Sequence, residues 1–551
     1  VILHIQRLRR RRESMKKPLA RLSFAAILAL VTGVPAAQAT IAPRQGVKFP
    51  KGFREQKERV PTAFTYTRAL QPLVRRLQAN RMRLAAGLMS AEAAAAAGGT
   101  AIAGSRSIPV LLAKFSNTGA EPYPNSTLQK ELFDGPWPTG TMTDFYKEIS
   151  YGRFAVTGTV VPWKALSQND TFYEGTAGCN GVCPAAHLAD FLKSTLDAND
   201  PSLDFSQYDN DGPDNVPNSG DDDGYVDFVA FVHPESGGEC GNSTIWSHRW
   251  SYRGWTGSDY TTNDARNGGG FIKVNDYVIM PALACNGSTM IQIGVFAHEF
   301  GHAFGLPDLY DTDDTNGTSE GIGNWCLMAA GSWGGDGQSP ERPTHMSAWC
   351  KEFLGWVSPT LVTSDQTPAS LLSVEDNAAV LRIAISNTQY YLIENRQKKL
   401  FDLNLPTGGL AIWHINETAV SAGLANNTVN ADENNKGVDL EEADGRADLD
   451  NAVNRGDAGD LFPGSENRTD FDNSTNPRST GQVAVCGVSA SGSPMTANVL
   501  TSMGKCRGNC SQMGGVQGRG GMALRATLLG LPLLLAWWLS RARRRPVAET
   551  P

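Results

Sequence analysis

The order of apolar patterns along the chain predicts an α+β protein: a mixed sheet with one long-faced helix, then a β-rich, sandwich-like domain. Two continuous apolar runs, residues 108–115 (IPVLLAKF) and 226–232 (VDFVAFV), read as core strands. Between 293 and 304, Ile293, Phe296, Ala297, Phe300 and Phe304 recur at helical spacing and form one apolar stripe. From 358 to 505 short apolar runs (380–385, 390–394, 410–414) alternate with turns, the pattern of packed sheets.

At 551 residues the chain exceeds one hydrophobic core and divides into several segments. The net charge is −7 and the central region has no basic patch interleaved with aromatics, which excludes nucleic acid as a partner. Met15 is the expected start. Lys16, Lys17 and Arg21 precede an apolar run over 22–34 that ends in Ala37-Gln38-Ala39, so 15–39 is a signal peptide with cleavage expected before Thr40. Export oxidises most of the nine cysteines. Cys179/Cys183, Cys240/Cys285 and Cys326/Cys350 pair by proximity, while Cys486, Cys506 and Cys510 leave an odd thiol, and spacing does not settle the connectivity.

Residues 40–105 hold eleven Lys/Arg against three Glu and end in an Ala/Gly-rich stretch from 91 to 105, the composition of a prosegment with a cleavable linker. Without a cysteine it has no thiolate to offer a metal, and its positive charge is expected to dock on the acidic domain that follows. That domain spans 106–357. After the first strand, 143–150 (TDFYKEIS) reads as a helix and 151–154 as a turn; 271–280 alternates as a half-exposed strand. Asp209, Asp211, Asp221, Asp223 and Asp227 stand at alternate positions in DNDGPD and DDDGYVD, with glycines for sharp turns. Such a set suits calcium, although the EF-hand's terminal Glu is missing.

The chemistry concentrates in 298–308, HEFGHAFGLPD. His298 and His302, four residues apart, fall about 40° apart on a helix and reach one ion together. Glu299 projects beside that ion, the place of a general base for a water the metal activates. Gly305 and Pro307 end the helix and let Asp308 return as third ligand. The spacing HExxHxxGxxD repeats the metzincin layout with Asp in place of the last His. A rival third ligand is Glu320, in the glycine-rich stretch 317–323. Met328, in 324–333 (NWCLMAAGSW), fits the structural Met-turn beneath such a site, and His345 reads as a packed histidine rather than a ligand.

These motifs together resemble the M6 family of secreted bacterial metalloproteases, the immune inhibitor A group. The resemblance is carried by HEFGHAFGLPDLYD, the turn through Met328, AWCKEFLGW, SYGRFAVTG, IWSHRW, YYLIENRQKKLFD and GLAIWHI, and it covers about 106–475. It implies a metzincin-like catalytic domain followed by β-rich material, with family calcium ligands carried over only to the DDDGYVD carboxylates. By analogy with metzincin-like folds, an edge strand near 271–280 aligns the peptide substrate.

Residues 358–505 form the expected β-rich domain, in which a second acidic, Gly-rich cluster (437–445 and 457–464) either binds calcium or remains a solvated loop. In 506–551, Gly514-Gly515 and Gly520-Gly521 precede an apolar run over 526–539 and the cluster at 541–545 (RARRR). This resembles the GlyGly-CTERM sorting tail of Gram-negative bacteria, with transient membrane association and removal by a sorting protease; a permanent anchor is the alternative. The expected function is zinc-dependent hydrolysis of extracellular proteins or peptides, secreted or at the cell surface. A calcium-stabilised adhesin with a relic zinc site is the second class.

Overall fold

Strands β2 (Gly104–Lys114), β3 (Phe154–Ala165) and β4 (Val229–Ser236) follow β1 (Ala39–Thr40) in the chain, and then come β5 (His248–Ser251), β6 (Tyr260–Ala265), β7 (Phe271–Val274) and β8 (Asp276–Leu283). The computed structural model describes residues 39–50 and 102–506, apart from 184, 213, 215, 314 and 315. The expected signal segment before Ala39, residues 51–101 of the expected prosegment, Cys510 and the expected sorting tail lie outside the described residues. Among the described residues no helix is long and apolar enough to cross a membrane.

The main sheet runs β1-β5-β8-β4-β2-β3. Strands β3, β2, β4 and β8 are parallel, whereas β5 adds antiparallel to β8, and β1 antiparallel to β5. Parallel strands bury both faces, and β2 does so by alternation. Ile108, Val110 and Leu112 point into one core and Leu111 and Ala113 into another. The second core is closed by α2 (Leu188–Asn199), through Leu188, Phe191, Leu192 and Leu196. α1 (Met142–Ile149) lies against the first core, and its start is set by a capping box between Thr141 and Asp144.

The run 271–280 is not one half-exposed strand. It breaks at Asn275 into β7, half-exposed and paired with β6, and β8, which is buried between β4 and β5. On the β8 side the next strand is therefore β5, and β1 pairs with its outer edge.

The helix with the histidines is α3 (Ile293–Ala303), buried at every position. It ends where expected: Gly305 takes φ +100°, a left-handed geometry that releases the chain from the helix. Two glycines inside it are required by close packing. A Cβ on Gly294 would lie 2.0 Å from the carbonyl oxygen of Ser332, and one on Gly301 would lie 2.5 Å from Met328 Sδ. α4 (Ala348–Phe353) follows, with Ser347 as its cap.

Beyond it, β9 (Thr360–Leu361), β10 (Gln366–Leu371), β11 (Val380–Ala384), β12 (Gln389–Arg396), β13 (Gly409–Asn416), β14 (Val438–Leu440), β15 (Ala484–Cys486) and β16 (Met495–Leu500) form two sheets. Their orders are β14-β13-β12-β11-β9 and β10-β16-β15. One core holds Ile383, Tyr391, Ile393 and Ile412 of the first sheet with Leu371, Val485 and Val499 of the second, the expected sandwich-like packing. The other face of the five-stranded sheet, with Tyr390, Leu392, Trp413 and Ile415, packs into the core that contains α3. The core is thus continuous across residues 357 and 358.

Disulfides join Cys179 to Cys183, Cys240 to Cys285 and Cys486 to Cys506. Cys326 and Cys350 do not pair as proximity suggested; they are buried thiols with sulfurs 3.8 Å apart.

Candidate metal centre

His298, His302 and Asp308 are brought together as the motif predicts. The two imidazole Nε2 atoms lie 3.0 Å apart, and each is 3.2 Å from Asp308 Oδ1. The other ring nitrogens fix the tautomer. His298 Nδ1 is 2.8 Å from the Leu327 carbonyl and His302 Nδ1 is 2.8 Å from the Leu306 carbonyl. A carbonyl only accepts, so each Nδ1 carries the proton and each Nε2 lone pair points to the centre. A tetrahedral zinc with bonds of about 2.0 Å spaces its ligands about 3.3 Å apart, so two nitrogens and one oxygen at these separations fit the ion.

Asp308 is held from a distance in sequence. Asn427 Oδ1 accepts the Asp308 amide at 2.7 Å, and Asn427 Nδ2 donates to Asp308 Oδ2. Burial pushes the Asp308 carboxyl up, but His302 and His298 beside it outweigh burial and hold it well below the usual carboxylate range. Glu299 is fully buried on the same helix, one residue from His298. Met328 sits under the helix against Gly301. Glu320 does not join the centre; its Oε2 is paired with Arg455 Nε at 2.9 Å. His345 is a packed histidine, 2.7 Å from Glu148 Oε1 and 3.0 Å from Lys351 Nζ.

Residues 39–50 cross this centre. The Thr40 amide donates to Asp308 Oδ2 at 3.2 Å, and the Thr40 carbonyl oxygen is 3.2 Å from His298 Nε2 and accepts from Tyr310 Oη at 2.7 Å. Trp246 Nε1, Trp333 Nε1 and Arg455 Nη1 then donate to the carbonyls of Ile41, Ala42 and Pro43. The segment is held largely through its backbone, in the manner of a bound peptide added to a sheet edge.

The upstream acidic set is regrouped. Asp209, Asp211 and Asp222 converge. Asp222 is not marked by the sequence, because alternation along DDDG favours its two neighbours. Asp221 instead accepts from Ser219, Asp223 Oδ1 accepts the Tyr225 amide, and Asp227 pairs with Arg106 at 3.4 Å. Burial, then the charge of Asp222, pushes Asp209 up to about 8; burial and then Asp223 pushes Asp211 up to about 6.

A buried His-His-Asp centre on an HExxH helix of an α+β domain is the arrangement that metallopeptidases use. The sequence model of the immune inhibitor A peptidase M6 catalytic domain matches residues 124–357 of the chain. It is 32% identical over 252 residues to the pre-pro-metalloprotease PrtV of Vibrio cholerae serotype O1, covering 42% of this chain and 26% of that protein. It is 34% identical over 235 residues to immune inhibitor A of Bacillus thuringiensis subsp. alesti, covering 39% of this chain and 31% of that one. The chain thus spans about a quarter to a third of the length of the curated relatives it matches.

Proposed function

We propose that this chain is an exported zinc endopeptidase that hydrolyses proteins or peptides and is held latent by its own N-terminal segment. The observation that carries the reading is the meeting of two imidazole Nε2 atoms and one carboxylate within 3.2 Å, beside Glu299. Zinc bound there supplies a Lewis acid that polarises a carbonyl and brings the pKa of water down to about 7.

The chain's own groups do the rest. Glu299 takes a proton from the attacking water and returns it to the leaving amine. Thr40 shows how a carbonyl lies in the cleft: its oxygen faces His298 Nε2 and accepts from Tyr310 Oη. Tyr310 is accordingly the donor that holds a substrate carbonyl and the charge developing on it. β5 offers its edge to an extended substrate, the role expected near 271–280. While Thr40 and the residues that follow it occupy the cleft, substrate is excluded.

Calcium at Asp209, Asp211 and Asp222 belongs to the same reading, since carboxylates this close, two of them buried, repel one another without a cation. A non-catalytic adhesin has no use for a buried glutamate beside the metal donors. Casein digestion by the linker-cleaved protein, abolished by a chelator and restored by zinc, is the expected result; undiminished digestion after chelation would defeat the proposal.

A further inference from the structure

The loop between β14 and β15 carries a second concentration of carboxylates that the peptidase reading does not use. Glu442, Asp444 and Asp460 are all buried, and one oxygen from each lies within 4.8 Å of the others. Asp448 and Asp457 form a second such group with Asp444. Most of the outer oxygens are engaged. Glu442 accepts the amides of Asp448 and Leu449, Asp444 Oδ1 accepts the Arg446 amide, and Asp457 accepts the Gly459 amide.

Two inner oxygens are not. Asp460 is 1% exposed and Asp444 is 6% exposed, yet no donor among the described residues reaches Asp460 Oδ1 or Asp444 Oδ2. The cation nearest to Asp444 Oδ2 in the described set is Arg446 at 3.5 Å, an exposed side chain that also pairs with Glu466. Lys436 is taken up by Asp439 and Asp450. A buried carboxylate oxygen without a donor is strongly destabilising unless a cation meets it.

We infer that Glu442, Asp444 and Asp460 bind a calcium ion, with Asp448 and Asp457 completing the acidic cage around it. The donors are all hard oxygens with no imidazole or thiolate, which selects against zinc.

The position of the cage gives the ion a task. Asp460 Oδ2 accepts from Trp325 Nε1 at 2.8 Å, three residues before Met328. The Arg455 carbonyl accepts the Asn324 amide at 2.7 Å, and the Leu449 carbonyl accepts the Glu320 amide at 2.9 Å. Arg455 also holds Pro43 of the segment in the cleft. Calcium in this loop fixes the floor of the metal centre and one wall of the peptide cleft from outside both.

The test uses the full chain equilibrated with calcium and then with terbium, and it does not depend on peptidase activity. Calcium content should fall by at least one ion per chain in Asp444→Asn/Asp460→Asn, while Asp209→Asn/Asp211→Asn leaves that ion in place. Terbium emission excited through tryptophan should drop severalfold in Trp325→Phe, because its indole touches a ligand; this variant keeps the test open if the double Asn variant fails to fold. Unchanged calcium in a folded Asp444→Asn/Asp460→Asn protein, or terbium emission indifferent to Trp325→Phe, would overturn the assignment.

Discussion

The Thr40 amide donates to Asp308 Oδ2 at 3.2 Å across 268 residues of chain, and the Thr40 carbonyl faces His298. A residue of the segment proposed to confer latency thus touches two of the three expected zinc ligands. Positive charge was the expected means of docking, but the contacts at the centre are backbone ones. Cleaving the linker at 91–105 and removing the released segment should raise casein hydrolysis at least tenfold. Equal rates before and after cleavage would contradict latency.

Tyr310 Oη donates to the same Thr40 carbonyl at 2.7 Å. Losing one donor to a developing oxyanion costs about 100-fold in kcat. Tyr310→Phe should show that loss with zinc content unchanged and KM little altered. Wild-type kcat in the variant would remove the tyrosine from the reaction.

Asn427 binds both the amide and the carboxylate of Asp308. Partners of this kind orient a ligand, and their loss lowers metal affinity about 10- to 100-fold. Asn427→Ala should therefore release zinc to a competing chelator at correspondingly lower chelator concentration, a shift read directly in the titration.

Glu131 is 1% exposed, neither of its oxygens finds a donor among the described residues, and burial pushes its carboxyl from 4.5 up to about 8. Below pH 4.5 it is protonated folded or unfolded and costs nothing. As pH rises toward 8 only the unfolded chain releases the proton, so stability declines through that window by an amount on the order of a few kcal/mol. Glu131→Gln should melt with the parent near pH 4.5 and several degrees above it at pH 8.5. Parallel curves at both pH values would show that the burial is without consequence.

What was legible in the sequence was what is local. His298, Glu299, His302 and Asp308 lie within eleven residues, and helical spacing with Gly305 and Pro307 determines how they meet. Alternating apolar runs likewise announced two sheets after residue 358. Asn427 and Thr40 were not legible, because their partners are 119 and 268 residues away and no local pattern marks them. The break at Asn275 hid for a different reason: β7 and β8 differ in burial, while their residues alternate alike. Asp222 was passed over because alternation named its neighbours, whereas the fold of the loop turns the middle carboxylate inward.

The roles assigned to 298–308 separate most directly in one pair of variants, assayed after linker cleavage for zinc content and casein hydrolysis. Glu299→Gln should keep about one zinc per chain and lose hydrolysis at least a thousandfold, a barrier increase of about 4 kcal/mol, while Asp308→Ala loses both. A Glu299→Gln protein that still cuts casein, or an Asp308→Ala protein that keeps its zinc and its activity, would contradict the account.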